Sequence, residues 1–100
     1  MIHVLAIITT LPGQRAAVLS AFQENAVNVR AEVGCIEYGA AIDAEGSPAV
    51  YVEDTFIVIE KWATPADLKA HSAAPHMVAY AARTKPLVKT RVIHVLSPTG

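Results

Sequence analysis

Phe56-Ile57-Val58-Ile59-Glu60-Lys61-Trp62, followed at once by Ala63-Thr64-Pro65-Ala66-Asp67, decides the fold of this chain. The first stretch opens on a compact run of apolar, largely β-branched residues, the composition of a strand. The second carries a helix start: Thr64 as N-cap, proline at the first helical position and an acid at the third. Each of these suits the free amides and the positive end of a helix N-terminus. A strand therefore passes directly into a helix here, and the rest of the chain is read outward from that junction.

Upstream, Asp43 to Pro48 holds Gly, Ser, Pro and two acids, the chemistry of a turn or hairpin loop. Ala49 to Glu53 fit either the start of the third strand or a long hairpin. Cys35-Ile36-Glu37-Tyr38-Gly39-Ala40-Ala41-Ile42 reads as the second strand, set off from the preceding region by Gly34. From Gln14 a helical pattern places Leu19, Phe22, Ala26 and Val29 along one stripe, with Gln23, Glu24 and Asn28 largely off it; this predicts an amphipathic helix of about four turns. Leu11-Pro12-Gly13 separates that helix from Ile2-His3-Val4-Leu5-Ala6-Ile7-Ile8, a strand apolar on both faces. Downstream, Pro75 interrupts the helix begun at Pro65, because proline lacks an amide and clashes with the preceding turn. A second helical stretch runs from His76 to Thr84 and Pro86 stops it. Val88 to Leu96 is the last strand, and Ser97 to Gly100 a tail. The order β-α-β-β-α-β predicts an α+β, ferredoxin-like antiparallel sheet with two helical regions on one face.

One hundred residues predict a single domain over 1–100. The chain is 53% apolar and 17% charged, with a net charge of −1. Its basic residues are scattered, with a loose cluster at Arg83, Lys85, Lys89 and Arg91, so a nucleic-acid surface is not expected. A phosphate or other anion site needs only one or two cations and is compatible with this pattern. Cys35 is the only cysteine, which rules out an internal disulfide. Met1 to Thr10 lack a basic leader region and a small-residue cleavage site; they read as a strand rather than a signal peptide or membrane span, and the expected compartment is the cytoplasm.

Two helices cover one face of a four-stranded sheet, yet three strands are aliphatic on both: Val4 and Leu5, Ile57 and Val58, and Val92 and Leu96 beside Ile93 and Val95. Each buried aliphatic side chain contributes roughly 1.5–3 kcal/mol relative to exposure. Leaving half a dozen in water would forfeit on the order of 10 kcal/mol, as much as the whole stability of a domain. A symmetric partner is the simplest cover, since one patch serves both chains, and the expected assembly is a homodimeric α/β barrel.

Three stretches taken together, Gly34-Cys35-Ile36-Glu37-Tyr38, Glu60-Lys61-Trp62, and Leu68-Lys69-Ala70-His71 through Pro75-His76, resemble the antibiotic biosynthesis monooxygenase family, nearest to its small quinol monooxygenase-like members. The likeness covers nearly the whole chain. It implies a dimeric α/β barrel and a pocket between sheet and helices that often works without metal, flavin or haem. Some members of the family oxidise phenolic or quinol substrates with molecular oxygen; others degrade haem, isomerise phosphorylated sugars, or have no known activity. The haem-degrading branch uses an Asn on the first strand and a Trp and a His on the second helical region. The corresponding positions here are Ala6, Ala70 and Tyr80, which do not suit that chemistry.

Seen as chemistry, His71 is the first candidate: a neutral imidazole can take a proton from a phenol or from a carbon beside a carbonyl. The bland alternative is a half-exposed histidine bonded to a backbone carbonyl. His76 follows by five residues, a spacing unlike the one-turn pair of a zinc site, and no metal site is expected. Its alternatives are a direct catalytic role and a capping or orienting role at the start of the second helical stretch. Glu60 either faces inward with a histidine or arginine partner or sits as a solvated edge acid. Trp62 is either a wall on which an aromatic substrate stacks or a core residue closing the sheet. Tyr38 either donates to a substrate oxygen or packs, and Tyr80 joins Trp62 and Tyr38 as an aromatic substrate contact. Cys35 has no nearby cation in sequence to activate it. His3 and His94 read as core or interface residues. The leading function is cofactor-independent monooxygenation of a small quinol or polyphenol with a histidine base. The alternatives are isomerase or tautomerase chemistry on a small, phosphorylated or plain, keto compound, and a non-catalytic dimeric binding or stress protein.

Overall fold

β-branched runs and prolines divide the chain into β1 (Ile2–Thr10), α1 (Arg15–Arg30), β2 (Cys35–Ala41), β3 (Thr55–Trp62), α2 (Pro65–Ala73), α3 (Pro75–Thr84) and β4 (Val88–Leu96), with a 3₁₀ turn at Lys85–Leu87. These elements belong to a computed structural model that describes residues 1–100. The Thr64 cap forms as its sequence requires: the Asp67 amide donates to Thr64 Oγ1 at 3.1 Å.

Several boundaries differ from the sequence reading, each for a local reason. β1 continues past Ile8 because Thr9 and Thr10 remain on the ladder, and the Thr9 and Thr55 hydroxyls meet at 3.0 Å across strands. Gln14 is the N-cap of α1 rather than its first residue. Ala49 to Glu53 form no strand; Asp54, at φ 64°, turns the chain into β3. Pro75 starts α3 instead of merely ending α2. Ala74 before it is extended (φ −62°, ψ 138°), as a residue preceding proline prefers, and a first-turn proline has no helical bond to lose.

The sheet has the order β2-β3-β1-β4 and is antiparallel throughout. Even-numbered residues of β1 and β3 face the helices: Val4, Ala6, Ile8, Phe56, Val58 and Trp62 are buried there. From α1, Val18, Ala21, Phe22, Ala26 and Val29 meet them; Leu19, expected on this stripe, is only partly buried. Phe22 stacks on Tyr38 with ring centroids 5.0 Å apart. The roof stops short of β4, whose helix-side residues Ile93 and Val95 stay 49% and 57% exposed. On the opposite face Leu5, Ile59, Val92 and Leu96 are also exposed.

The α1–β2 turn depends on Gly34. Its φ of +81° is disfavoured for side-chain-bearing residues, and a Cβ there would collide with the Asp67 carboxylate. Bare backbone at this point lets the first turn of α2 close onto the turn, and the Ala63 amide donates to Gly34 O at 2.8 Å. That contact sets where α2 begins over the sheet.

Candidate active site

Because the helices do not reach over β4, a cavity of about 690 Å³ opens between the sheet and α2–α3, with mostly apolar walls. Its polar groups are few and come from every layer. Glu60 sits on β3 opposite Val4, only 7% exposed, and points toward the helices. Trp62, two residues on, shares its face, and Nε1–H donates to Glu60 Oε1 at 2.9 Å. Burial pushes the Glu60 carboxyl above its ordinary range; the Trp62 bond and the charge of His71 pull it back in part. The solvated edge acid is therefore not what the fold makes: Glu60 is an inward acid biased toward its neutral form.

His71 projects from α2 and is 4% exposed. Its ring lies between Trp62, at a centroid distance of 4.6 Å, and the edge of Tyr38, at 5.6 Å. Nδ1–H donates to Glu32 Oε2 at 2.8 Å, while Nε2 lies 3.9 Å from Glu60 Oε1. The half-exposed histidine bonded to a carbonyl is replaced by a buried one gripped by a carboxylate. With a hydrogen on Nδ1 directed at Glu32, the ring turns Nε2 toward Glu60.

The break at Pro75 lets His76 reach the same carboxylate, which two residues five apart on one unbroken helix would not do. His76 Nε2 lies 3.3 Å from Glu32 Oε2 and Nδ1 lies 3.1 Å from Asn25 Oδ1. His76 is not the cap of α3, a place taken by Ala74, and it stands outside the cavity wall. It contacts Glu32 Oε2, the same oxygen that His71 holds.

Tyr38 and Tyr80 both line the cavity. Burial, reinforced by Glu60, pushes the Tyr38 hydroxyl far up, and burial raises that of Tyr80 as well, so both are held as protonated donors. Trp62 is fully buried and absent from the wall; it backs Glu60 and His71, so the stacking surface expected of it is not available to a ligand. The Cys35 thiol is raised by burial and then by Glu32 and Glu60, the opposite of activation. His3 and His94 lie on the other face of the sheet, beside the exposed Leu5 and Leu96. Sequence reasoning missed Glu32 and Asn25. One signal pointed to Glu32: it follows the C-terminal end of α1, where the helix dipole disfavours an acid unless its side chain is engaged elsewhere.

Sheet order, incomplete roof and cavity define a ferredoxin-like α+β protein with a buried histidine–carboxylate pair facing an apolar chamber. Residues 1–83 match the sequence profile of the family described as antibiotic biosynthesis monooxygenase, and the chain belongs to that family. It is 36% identical over 102 residues to the "Probable quinol monooxygenase YgiN" of Escherichia coli K12, covering 98% of each chain, and the same figures hold for that protein of Shigella flexneri. Among solved structures, PA3566 of Pseudomonas aeruginosa superposes with a TM-score of 0.83 at 24% identity, covering 99% of this chain and 94% of the other. Rv0793 of Mycobacterium tuberculosis gives 0.83 at 24% identity, with 99% and 95% covered. The fold is shared across these proteins. No helix of the chain is long and apolar enough to cross a membrane.

Proposed function

We propose that this chain is a monooxygenase acting on a small quinol or polyphenol, with His71 as the base and no added cofactor. The observation that carries this reading is the His71 ring itself: buried beside the cavity, its Nδ1 committed to Glu32 at 2.8 Å and its Nε2 turned toward Glu60. Nε2 takes a hydroxyl proton from the quinol, and the electron-rich anion passes electrons to molecular oxygen. The sum is quinol plus O₂ giving hydroxyquinone plus water. One oxygen atom enters the ring, the other leaves as water, and the quinol supplies all four electrons. Glu60, biased toward its neutral form, is placed to return a proton to the reduced oxygen. Tyr38 and Tyr80 donate hydrogen bonds to the substrate oxygens, and the apolar walls limit water at the reacting ring. His76 acts behind Glu32 as an orienting group. The 36% identity to the "Probable quinol monooxygenase YgiN" supports the substrate class.

Oxygen uptake and hydroxyquinone formation across a panel of naphthalene and benzene quinols test this reading. Uptake that His71→Ala lowers by about 10²–10⁴-fold is expected for loss of a general base. A folded chain that turns over no quinol in the panel would overturn it. The pairing of a buried acid, its carboxyl raised by burial, with a nearby imidazole also favours a second reading, isomerisation of a small keto compound, which anaerobic turnover would reveal.

The working form is proposed to be a homodimer. Leu5, Ile59, Val92 and Leu96 lie exposed on the sheet face away from the helices, an apolar surface that a second copy covers with the same patch.

A further inference from the structure

The cavity has a second polar end, built by β4 and the turn before it. We propose that Arg91, assisted by Lys85, forms an oxyanion subsite in this cavity, and that the favoured ligand is a planar aromatic hydroxy compound bearing a carboxylate or phosphate group. The proposal deepens the reading of the cavity as an aromatic site but does not depend on the redox step.

Position comes first. Arg91 pairs with Ile8 on the helix-facing side of the sheet and lines the cavity, as does Lys85. Glu60 pairs with Val4, four residues back along β1, which is about 13 Å at strand spacing. Glu60 and Arg91 also stand on opposite flanks of β1, adding a lateral offset of about 10 Å between their strands. The acid–base end and the cationic end are thus separated by an apolar stretch that includes Val4, Ala6 and Ile8. An aromatic ring fits between them with its hydroxyl at one end and a charged substituent at the other.

Pairing comes second. The cations in the ion pairs of this structure are Lys61, His71, His76 and Arg83; neither Arg91 nor Lys85 has a carboxylate partner. The one acid in the cavity wall is Glu60, which burial biases toward neutrality. Arg91 lines the cavity together with Tyr80, Tyr38 and Glu60, and its charge opposes the upward push of burial at each of the three. A guanidinium offers a planar fork that matches a carboxylate or phosphate with two parallel hydrogen bonds, and Arg91 and Lys85 are both exposed, so an entering anion can reach them. An unsubstituted quinol would leave this fork without a counter-ion.

Three redox-quiet probes test the subsite by titration calorimetry on the full chain at low salt: 2-naphthol, 6-hydroxy-2-naphthoate and 6-hydroxy-2-naphthyl phosphate. One or both anionic probes should bind at least about 10-fold more tightly than 2-naphthol, the range expected of a hydrogen bond to a charged group. Which anion is preferred assigns carboxylate or phosphate. Arg91→Gln should erase the preference while leaving 2-naphthol binding unchanged, Arg91→Lys should keep part of it, and added salt should shrink it. Equal affinity for charged and neutral probes overturns the proposal. So does a preference that survives in Arg91→Gln, or an absence of binding by all three probes to protein with native circular dichroism. The probes are read without turnover, so anion selectivity in a chain that oxidises no quinol would overturn the oxygenase reading alone.

Discussion

His71 Nδ1 and Glu32 Oε2 meet at 2.8 Å across 39 residues of chain, joining the second helix to the turn after the first. This one contact fixes both the direction of the imidazole and the nitrogen that carries its hydrogen. In the proposed reaction, an imidazole held in this way would have its lone pair aimed before substrate arrives, which removes an orientation cost.

Glu32→Gln replaces an acceptor-only group by one that can also donate to Nδ1, so the ring is free to place its hydrogen on Nε2 and lose its base. Nitrogen-15 NMR of His71 should show an Nδ1–H tautomer in the native protein and a shift toward Nε2–H in the variant. Quinol oxidation should fall by about 10²-fold or more in kcat with KM little changed, as wrong-tautomer variants of histidine bases do. A native protein with the hydrogen on Nε2 would contradict this arrangement.

Glu60 has its carboxyl raised by burial, so the folded state holds a proton that the unfolded chain has already released at the same pH. Between the unfolded and folded values the native state binds more protons. Its stability is therefore fully present below that window and declines as pH rises through it. Glu60→Gln keeps an oxygen acceptor for Trp62 and removes the titration. Its melting temperature relative to native should rise between pH 4 and pH 8, as followed by thermal denaturation; a gap independent of pH would show that Glu60 is not perturbed.

Trp62→Phe removes the indole donor to Glu60 and thins the packing against His71. The loss of a hydrogen bond at a buried group, with some lost packing, should cost about 1–3 kcal/mol in urea denaturation. The pH dependence attributed to Glu60 should move further upward, since the bond that favours its charged form is gone.

Gly34→Ala meets two penalties, a positive φ and collision with Asp67. Together they should destabilise the chain by about 1–3 kcal/mol. Asp67→Gly in the same chain removes every colliding side-chain atom, Cβ included, but not the φ, so the pair should be less damaging than the sum of the single changes. Strict additivity in a double-mutant cycle would remove Asp67 from the account.

Leu5→Asp places a charge in the exposed apolar face of the central strand, without touching the cavity side. Sedimentation should change from dimer toward monomer, because a charge buried between two copies without a partner is strongly unfavourable. A native chain that sediments as a monomer would remove the proposed assembly.

Much of this molecule was legible in local chemistry. Thr64-Pro65-Ala66-Asp67 specified the start of α2 because capping uses atoms within a few residues, and the β-branched runs specified the strands because alternation is a backbone property. Glu60 stayed open between an inward and a solvated setting, because whether its face was wet depended on helices elsewhere in the chain. The partner of His71 was not legible: Glu32 is far away in sequence, and only the packing of α2 against the α1–β2 turn brings them together. Trp62 stayed open between a substrate wall and a core residue, because a strand pattern gives the face of a residue but not which neighbour covers it. Arg91 was legible only as a member of a loose basic cluster; register against Ile8 singled it out. The sequence by itself determined the elements, their order and the apolar character of both sheet faces, since these depend on bonds and periodicities within short segments. Tertiary structure alone decided which acid holds His71, which histidine stands behind it and where the cavity opens, because those relations arise from segments whose meeting no local rule prescribes.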